Sequence, residues 1–165
     1  MIVFFKDIFT KEECKYLSDI LLSNFKEKKL FHEINNGYCG NSYGSTLKEF
    51  EDILFKLTPL IKEKTSIKNI KEENSYSRIY FNNSILGSHK DREGLDLTLT
   101  TCIFNNTNIN WPLFVDFENK IHQVVTNIGD GVLISGTKLN HWRNKLICEN
   151  DKMIMQCFFH WKILN

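Results

Sequence analysis

Residues 87–104 read Gly-Ser-His-Lys-Asp-Arg-Glu-Gly-Leu-Asp-Leu-Thr-Leu-Thr-Thr-Cys-Ile-Phe and hold two patterns of period two in succession. In the second, from Leu95 to Phe104, leucines alternate with Asp96, Thr98 and Thr100, the spacing of a β-strand with two unlike faces. In the first, His89 and Asp91 stand at i and i+2, so in an extended segment an imidazole and a carboxylate face one point in space. The alternation continues on both sides. Upstream, Tyr76, Arg78 and Tyr80 alternate with Ser77, Ile79 and Phe81. Downstream, Trp111 to Phe117, Lys120 to Val125, Val132 to Ser135 and Lys152 to Trp161 are further strand segments, with Asn and Gly turns between them. Many short strands in series predict a sandwich or a small barrel.

The first third of the chain has another period. After a short initial strand, Thr10 to Glu13 spells a capping box, with Phe9 and Cys14 placed for a hydrophobic staple, and Cys14, Leu17 and Leu21 give one apolar stripe. Thr46 to Glu49 spells a second capping box ahead of Leu47, Phe50, Leu54, Leu57 and Ile61 at helical spacing, with Pro59 placed to kink that helix. Between the helices, Asn35 to Ser45 reads as a Gly-, Asn- and Tyr-rich loop. Two helices followed by six or more strands predict an α+β fold with the helices packed on one outer face of the sheets.

With 165 residues, no repeat and no linker, the chain reads as one domain over 1–165, a mainly helical flank to residue 70 and a β core over 71–165. A formal net charge of +1 gives no basic field for nucleic acid. No apolar run is long enough to cross a bilayer, and residues 1–7 are too soon interrupted by charge to form a secretory signal. Cys14, Cys39, Cys102, Cys148 and Cys157 form no CxxC pair, and their odd number argues against a disulfide framework. The expectation is a reducing, cytoplasmic setting without membrane association, with the cysteines serving as small core residues.

The chemistry is concentrated around His89 and Asp91. About fifty residues on, a Gly129-Asp130-Gly131 turn leads into an apolar strand and then Asn140-His141-Trp142-Arg143. A strand returning there brings His141 back toward the first pair. Two imidazoles and one carboxylate make a facial triad that leaves positions open on the metal, the pattern of non-haem Fe(II) oxygenases. The bland alternatives are an exposed charged turn at Lys90, Arg92 and Glu93 and a loop histidine beside a packing Trp142. His32, His122 and His160 read as ordinary strand and loop histidines, with His160, near the end of the last strand, placed to line the site but not needed to complete it, and Trp111, Trp142 and Trp161 as packing residues.

From about Gly40 to Trp161 the ordered set Tyr76-Ser77-Arg78-Ile79-Tyr80, His89-Lys90-Asp91-Arg92, Trp111-Pro112, Gly129-Asp130, His141-Trp142-Arg143 and Gln156 to Trp161 resembles the Fe(II)- and 2-oxoglutarate-dependent oxygenases, in the group that includes prolyl hydroxylases. The resemblance implies a double-stranded β-helix, or jelly roll. It also implies Fe(II) held by His89, Asp91 and His141, with 2-oxoglutarate and O2 as cosubstrates and ascorbate as an aid in vitro. A basic residue on the strand after the distal histidine is expected to hold the far carboxylate of 2-oxoglutarate. Lys152 is the nearest match, with Arg143, Arg78 and Arg92 as competitors, since arginine has the better fork for a carboxylate. Tyr80 is a hydrogen-bond donor to the cosubstrate or, equally, a core aromatic.

Two other readings stay open: a cupin-like jelly roll that binds a ligand without turning it over, and a Zn(II) site on the same three ligands. Near-neutral charge favours a peptide side chain or a small molecule over nucleic acid as substrate. Asn35 to Ser45 and Asn105 to Asn110 are the segments expected to touch it.

Overall fold

The computed structural model describes residues 1–33 and 38–164. In chain order the elements are β1 (Ile2–Phe5), α1 (Lys11–Lys26), β2 (Phe31–His32), β3 (Ser42–Ser45), α2 (Lys48–Thr65), β4 (Ile70–Tyr80), β5 (Leu86–His89), β6 (Leu97–Asn105), β7 (Leu113–Phe117), β8 (Lys120–Val124), β9 (Gly131–Ile134), β10 (His141–Arg143) and β11 (Ile154–Ile163). They form a seven-stranded sheet in the order β1-β9-β6-β11-β4-β3-β2 and a four-stranded sheet in the order β5-β10-β7-β8. Every pairing between named strands is antiparallel. Two helices with antiparallel sheets agree with the α+β expectation.

The larger sheet is buried on both faces, and the two faces are chemically distinct. Ile79, Leu97, Leu99, Leu133, Met155, Cys157, Phe159 and Trp161 join one core with Leu17 and Leu21 of α1 and Phe50, Leu54 and Ile61 of α2. Residues offset by one, Asn74, Tyr76, Arg78, Thr98, Thr100, Phe158 and His160, point the other way and line a cavity between the sheets. A single-residue offset therefore separates hydrocarbon from chemistry. The leucine–threonine alternation of 97–100 thus marks a core face and a cavity face, with Leu97 to Ile103 buried throughout. Both helices contact only strands of the larger sheet among the principal contacts, α1 meeting β4 and β6 and α2 meeting β4 and β11. Polar ties reinforce this packing: Trp161 Nε1 donates to Thr58 Oγ1 at 2.8 Å, and Glu51 Oε1 accepts from the amide and the hydroxyl of Ser75 at 2.6 and 2.8 Å.

The first capping box is present as read. Thr10 Oγ1 accepts from the Glu13 amide at 3.1 Å, and Glu13 Oε2 accepts from the Thr10 amide at 2.8 Å. The second is not. The N-cap of α2 is Leu47, extended at φ −130°, with no side-chain cap bond. Leu47 packs against the apolar core, and its carbonyl accepts the first helical bonds, from Phe50 and Glu51. Burying Leu47 starts the helix one residue late and leaves Thr46 outside it. Pro59 lies inside α2 without ending it.

The stretch Asn35 to Ser45 divides. Asn35, Asn36 and Gly37 lie outside the described residues, while Ser42 to Ser45 is a strand in register with β4, Gly44 opposite Arg78. A Cβ on Gly44 would meet Tyr76 Cε1 at 2.5 Å. Gly44 is thus kept small by the Tyr76 ring against it, and Ser42-Tyr43-Gly44-Ser45 lacks the apolar alternation of a strand.

Loss of the cap should be measurable at equilibrium. Thr10→Ala is expected to cost about 1 kcal/mol, read as a lower urea midpoint with an unchanged slope, and Thr46→Ala to leave the midpoint in place.

Candidate metal centre

β5 and β10 are neighbours, and their register sets His89 directly opposite His141. β10 is only three residues long, yet it is held on both sides, with His141 also opposite Val115 of β7. Asp91 lies two residues beyond His89, where the chain leaves β5, and its amide donates to the Gly136 carbonyl at 3.0 Å. The result is a cluster in which one donor atom from each of His89, Asp91 and His141 lies within 4.8 Å of the others. Asp91 Oδ1 is 3.4 Å from His89 Nε2 and 3.6 Å from His141 Nε2.

The imidazoles are held by their other nitrogens. His89 Nδ1 lies 2.8 Å from the Gly87 carbonyl, and His141 Nδ1 lies 3.0 Å from the Leu139 carbonyl. A carbonyl oxygen only accepts, so each Nδ1 carries the proton and each Nε2 presents a lone pair to the centre. This is the tautomer that a metal requires, fixed by backbone groups.

Burial lowers the pKa of His141 and keeps its ring neutral, although Asp91 pulls the other way. For Asp91 burial raises the pKa, but contacts with His89 and His141, whenever those rings carry a second proton, and the bond from the Thr98 hydroxyl outweigh it and hold the carboxyl below its usual range. A neutral, a neutral and an anionic donor converge on one point, which fits a divalent ion.

The cluster opens on a cavity of about 220 Å³. Leu86, Leu95, Leu113, Ile134 and Phe158 supply its apolar wall, and Tyr38, Asn74, Tyr76, Arg78, Thr98, Thr100 and His160 its polar one. The Tyr38 ring packs edge-on to His89 at 4.8 Å between centroids. His160 is buried, and its Nδ1 donates to the Asn74 carbonyl at 3.1 Å, which turns an unprotonated Nε2 toward the cavity. His160 thus lines the cavity, as its place near the end of the last strand allowed.

The basic residues separate clearly. Lys152 precedes β11, pairs with Asp151 at 3.9 Å and is absent from the cavity lining. The last strand begins at Ile154, two residues later than the alternation suggested, so Lys152 never enters the sheet. Arg92 is exposed and donates to the Glu93 carbonyl at 3.4 Å. Arg78 lines the cavity but already carries a carboxylate, Glu33 Oε1 at 3.1 Å, which also accepts from the Tyr76 hydroxyl.

Arg143 is different. It is fully buried, donates to the Trp111 carbonyl and, at 3.5 Å, to Gln156 Oε1, and stacks its guanidinium 5.0 Å from the Trp111 ring. Among the described residues no salt bridge reaches it, and its Nε has no partner. Beside it, Tyr80 is also fully buried with an unpartnered hydroxyl, its ring 4.7 Å from Trp111. An unpaired buried cation costs on the order of several kcal/mol, and no carboxylate among the described residues offsets that cost at Arg143. Neither Arg143 nor Tyr80 lines the cavity, yet Leu86, opposite Arg143 in the sheet, and Thr100, bonded to Gln156, both do.

Asn105 to Asn110 does not reach this cavity. Asn105, Asn108 and Asn110 border a separate hollow with Trp111, Thr126 and Gln156. His32 stacks on Tyr43 and His122 sits beside the Phe117 carbonyl, as packing residues do.

No family profile matches the chain, and no curated protein matches it either. Solved structures do. A prolyl-4-hydroxylase from Pseudomonas putida superposes over 99% of this chain and 93% of its own, with a TM-score of 0.73 at 9% identity. A 2-oxoglutarate–Fe(II) oxygenase family oxidoreductase from Burkholderia pseudomallei covers 99% and 86%, with a TM-score of 0.77 at 10% identity. The viral collagen prolyl hydroxylase of Paramecium bursaria Chlorella virus-1, solved with 2-oxoglutarate, covers 98% and 96%, with a TM-score of 0.66 at 13% identity. The chain has the fold of these oxygenases.

The buried histidines give the apo protein a sensitivity to acid. Burial lowers the pKa of both His141 and His160, so the unfolded chain binds protons that the fold refuses. Stability then rises with pH over that range. Urea midpoints of metal-free protein should fall as pH drops below about 6.5, and less so in His160→Gln; a flat profile from pH 7 to 5 would contradict this.

Proposed function

We propose that this chain is an Fe(II)- and 2-oxoglutarate-dependent oxygenase, acting as a hydroxylase on a small molecule or an exposed peptide side chain. In this reading residues 1–165 form one domain, a double-stranded β-helix whose N-terminal helices cover one face. The observation that carries the proposal is the convergence of two Nε2 lone pairs and one carboxylate on a single point at the edge of a cavity. His89, Asp91 and His141 are the iron ligands. When bound, iron and 2-oxoglutarate would supply the oxidising chemistry, coupling decarboxylation of the cosubstrate to succinate with oxidation of a substrate C–H bond.

The protein's own residues hold and shield. Arg143 is the anchor for the far carboxylate of 2-oxoglutarate, with Tyr80 as a second donor, because that guanidinium lacks an anion and lies one inward-facing position beyond His141 on β10. Leu86, Leu113, Ile134 and Phe158 supply apolar wall to the cavity beside His141. Arg78, already neutralised by Glu33, is left to the substrate side of the cavity. The five cysteines, none of them in a disulfide, suit a reducing cytoplasm.

Anaerobic titration of apo protein with Fe(II) and 2-oxoglutarate should produce the weak visible band of the chelate, and admitting O2 should release succinate. His141→Ala should lose the band. Arg143→Met should weaken 2-oxoglutarate binding by about thirtyfold or more, the roughly 2–5 kcal/mol of a buried charge contact, and Lys152→Ala should leave it unchanged. Metal binding without a band at saturating 2-oxoglutarate would sink the oxygenase reading.

A further inference from the structure

Asp91 is the one ligand with a choice, since a carboxylate binds a metal through one oxygen or two. The surroundings of its second oxygen are unusually constrained. Thr98 Oγ1 donates to Asp91 Oδ2 at 2.5 Å. Gly136 closes the other side: a Cβ there would stand 2.1 Å from Asp91 Oδ2, 2.6 Å from Thr98 Oγ1 and 2.8 Å from the Leu95 carbonyl. The Asp91 amide is tied to the Gly136 carbonyl at 3.0 Å, so backbone and side chain are both located by the same turn. Thr98 cannot move away. It is 4% exposed and lies within β6, its backbone in register with His160 of β11 on one side and Ile134 of β9 on the other.

We propose that Thr98 is a positioning residue that holds Asp91 to one-oxygen binding, with Gly136 leaving the space this arrangement needs. The proposal rests on the metal-centre reading above. Only Oδ1 then faces the two imidazoles, at 3.4 and 3.6 Å, while a short, charge-assisted hydrogen bond occupies Oδ2. The arithmetic of coordination gives this consequence. Two imidazoles and one carboxylate oxygen leave half of an octahedral metal's positions open, enough for a chelating cosubstrate and one small molecule besides. If Asp91 chelates through both oxygens, the cosubstrate still fits and the last position is gone. Thr98 thus protects the place where O2 must enter.

Mn(II) binding by wild type, Thr98→Val and Thr98→Ser, with no cosubstrate present, tests this directly. The titration is followed by electron paramagnetic resonance, and metal-bound waters are counted from water-proton relaxation. Wild type and Thr98→Ser should agree, and Thr98→Val should carry one water fewer, with its affinity changed by about tenfold. In a second arm, Fe(II), saturating 2-oxoglutarate and nitric oxide are combined without oxygen. Thr98→Val should keep the visible chelate band and lose most of the high-spin iron–nitrosyl signal that wild type shows. Gly136→Ala, which presses on Oδ2 from the opposite side, should lower the nitrosyl signal in the same way and serves if Thr98→Val does not fold. Equal water counts and equal nitrosyl signals in Thr98→Val, or in Gly136→Ala where it stands in, would overturn the proposal. Wild type that binds Mn(II) but forms no chelate band would remove the oxygenase reading while the water count still decides on Thr98. Wild type that fails to bind Mn(II) would remove both.

Discussion

The pairing of β5 with β10 governs the rest of the site. Opposed residues on antiparallel strands sit about 5 Å apart, so the register that sets His89 against His141 brings the two rings to 4.1 Å between centroids without long side chains or loop closure. β10 has three residues and would not persist alone. β5 and β7 hold it from either side, and the tight loop after β9 returns the chain to it. Asp91 is then placed by the continuation of β5, and Gly136 by the end of β9.

Much of this was legible because the sheet signal was strong. The strands at 76–80, 97–104, 113–117, 120–124, 131–134 and 154–161 all overlap strand segments read from the sequence, and the His-x-Asp pair with a later His pointed to one cluster. The last strand alternates accordingly, with Met155, Cys157 and Phe159 toward the helices and Phe158 and His160 toward the cavity. Where reading failed, the cause was local and physical. β3 carries Gly44 where Tyr76 occupies the space beside it. The capping box at Thr46 was overridden by the burial of Leu47.

The basic residues show a deeper limit. The family resemblance made Lys152 the nearest match for a cosubstrate anchor, with Arg143 among its competitors. The two differ in burial and in partners: one is half-exposed beside Asp151 at a strand end, the other enclosed with only carbonyl-type acceptors in reach. Neither property is written in the order of residues. Thr98 was hidden for a related reason. Within the alternation it looked like one of several threonines, and only the approach of Asp91 from a loop seven residues earlier sets it apart.

The position of β11 in the larger sheet has a bearing on synthesis. It lies at the centre, bonded to β4 on one side and β6 on the other, and it is the last strand in chain order. Until residues 154–163 are available, β4 and β6 each present an open edge of alternating polar and apolar groups. Such edges invite pairing with other chains. The core that α1 and α2 cover is likewise incomplete without Met155, Cys157, Phe159 and Trp161. Folding is therefore gated by the arrival of one strand, and a chain stalled or truncated ahead of it is a substrate for aggregation or chaperone capture rather than a smaller version of the same protein.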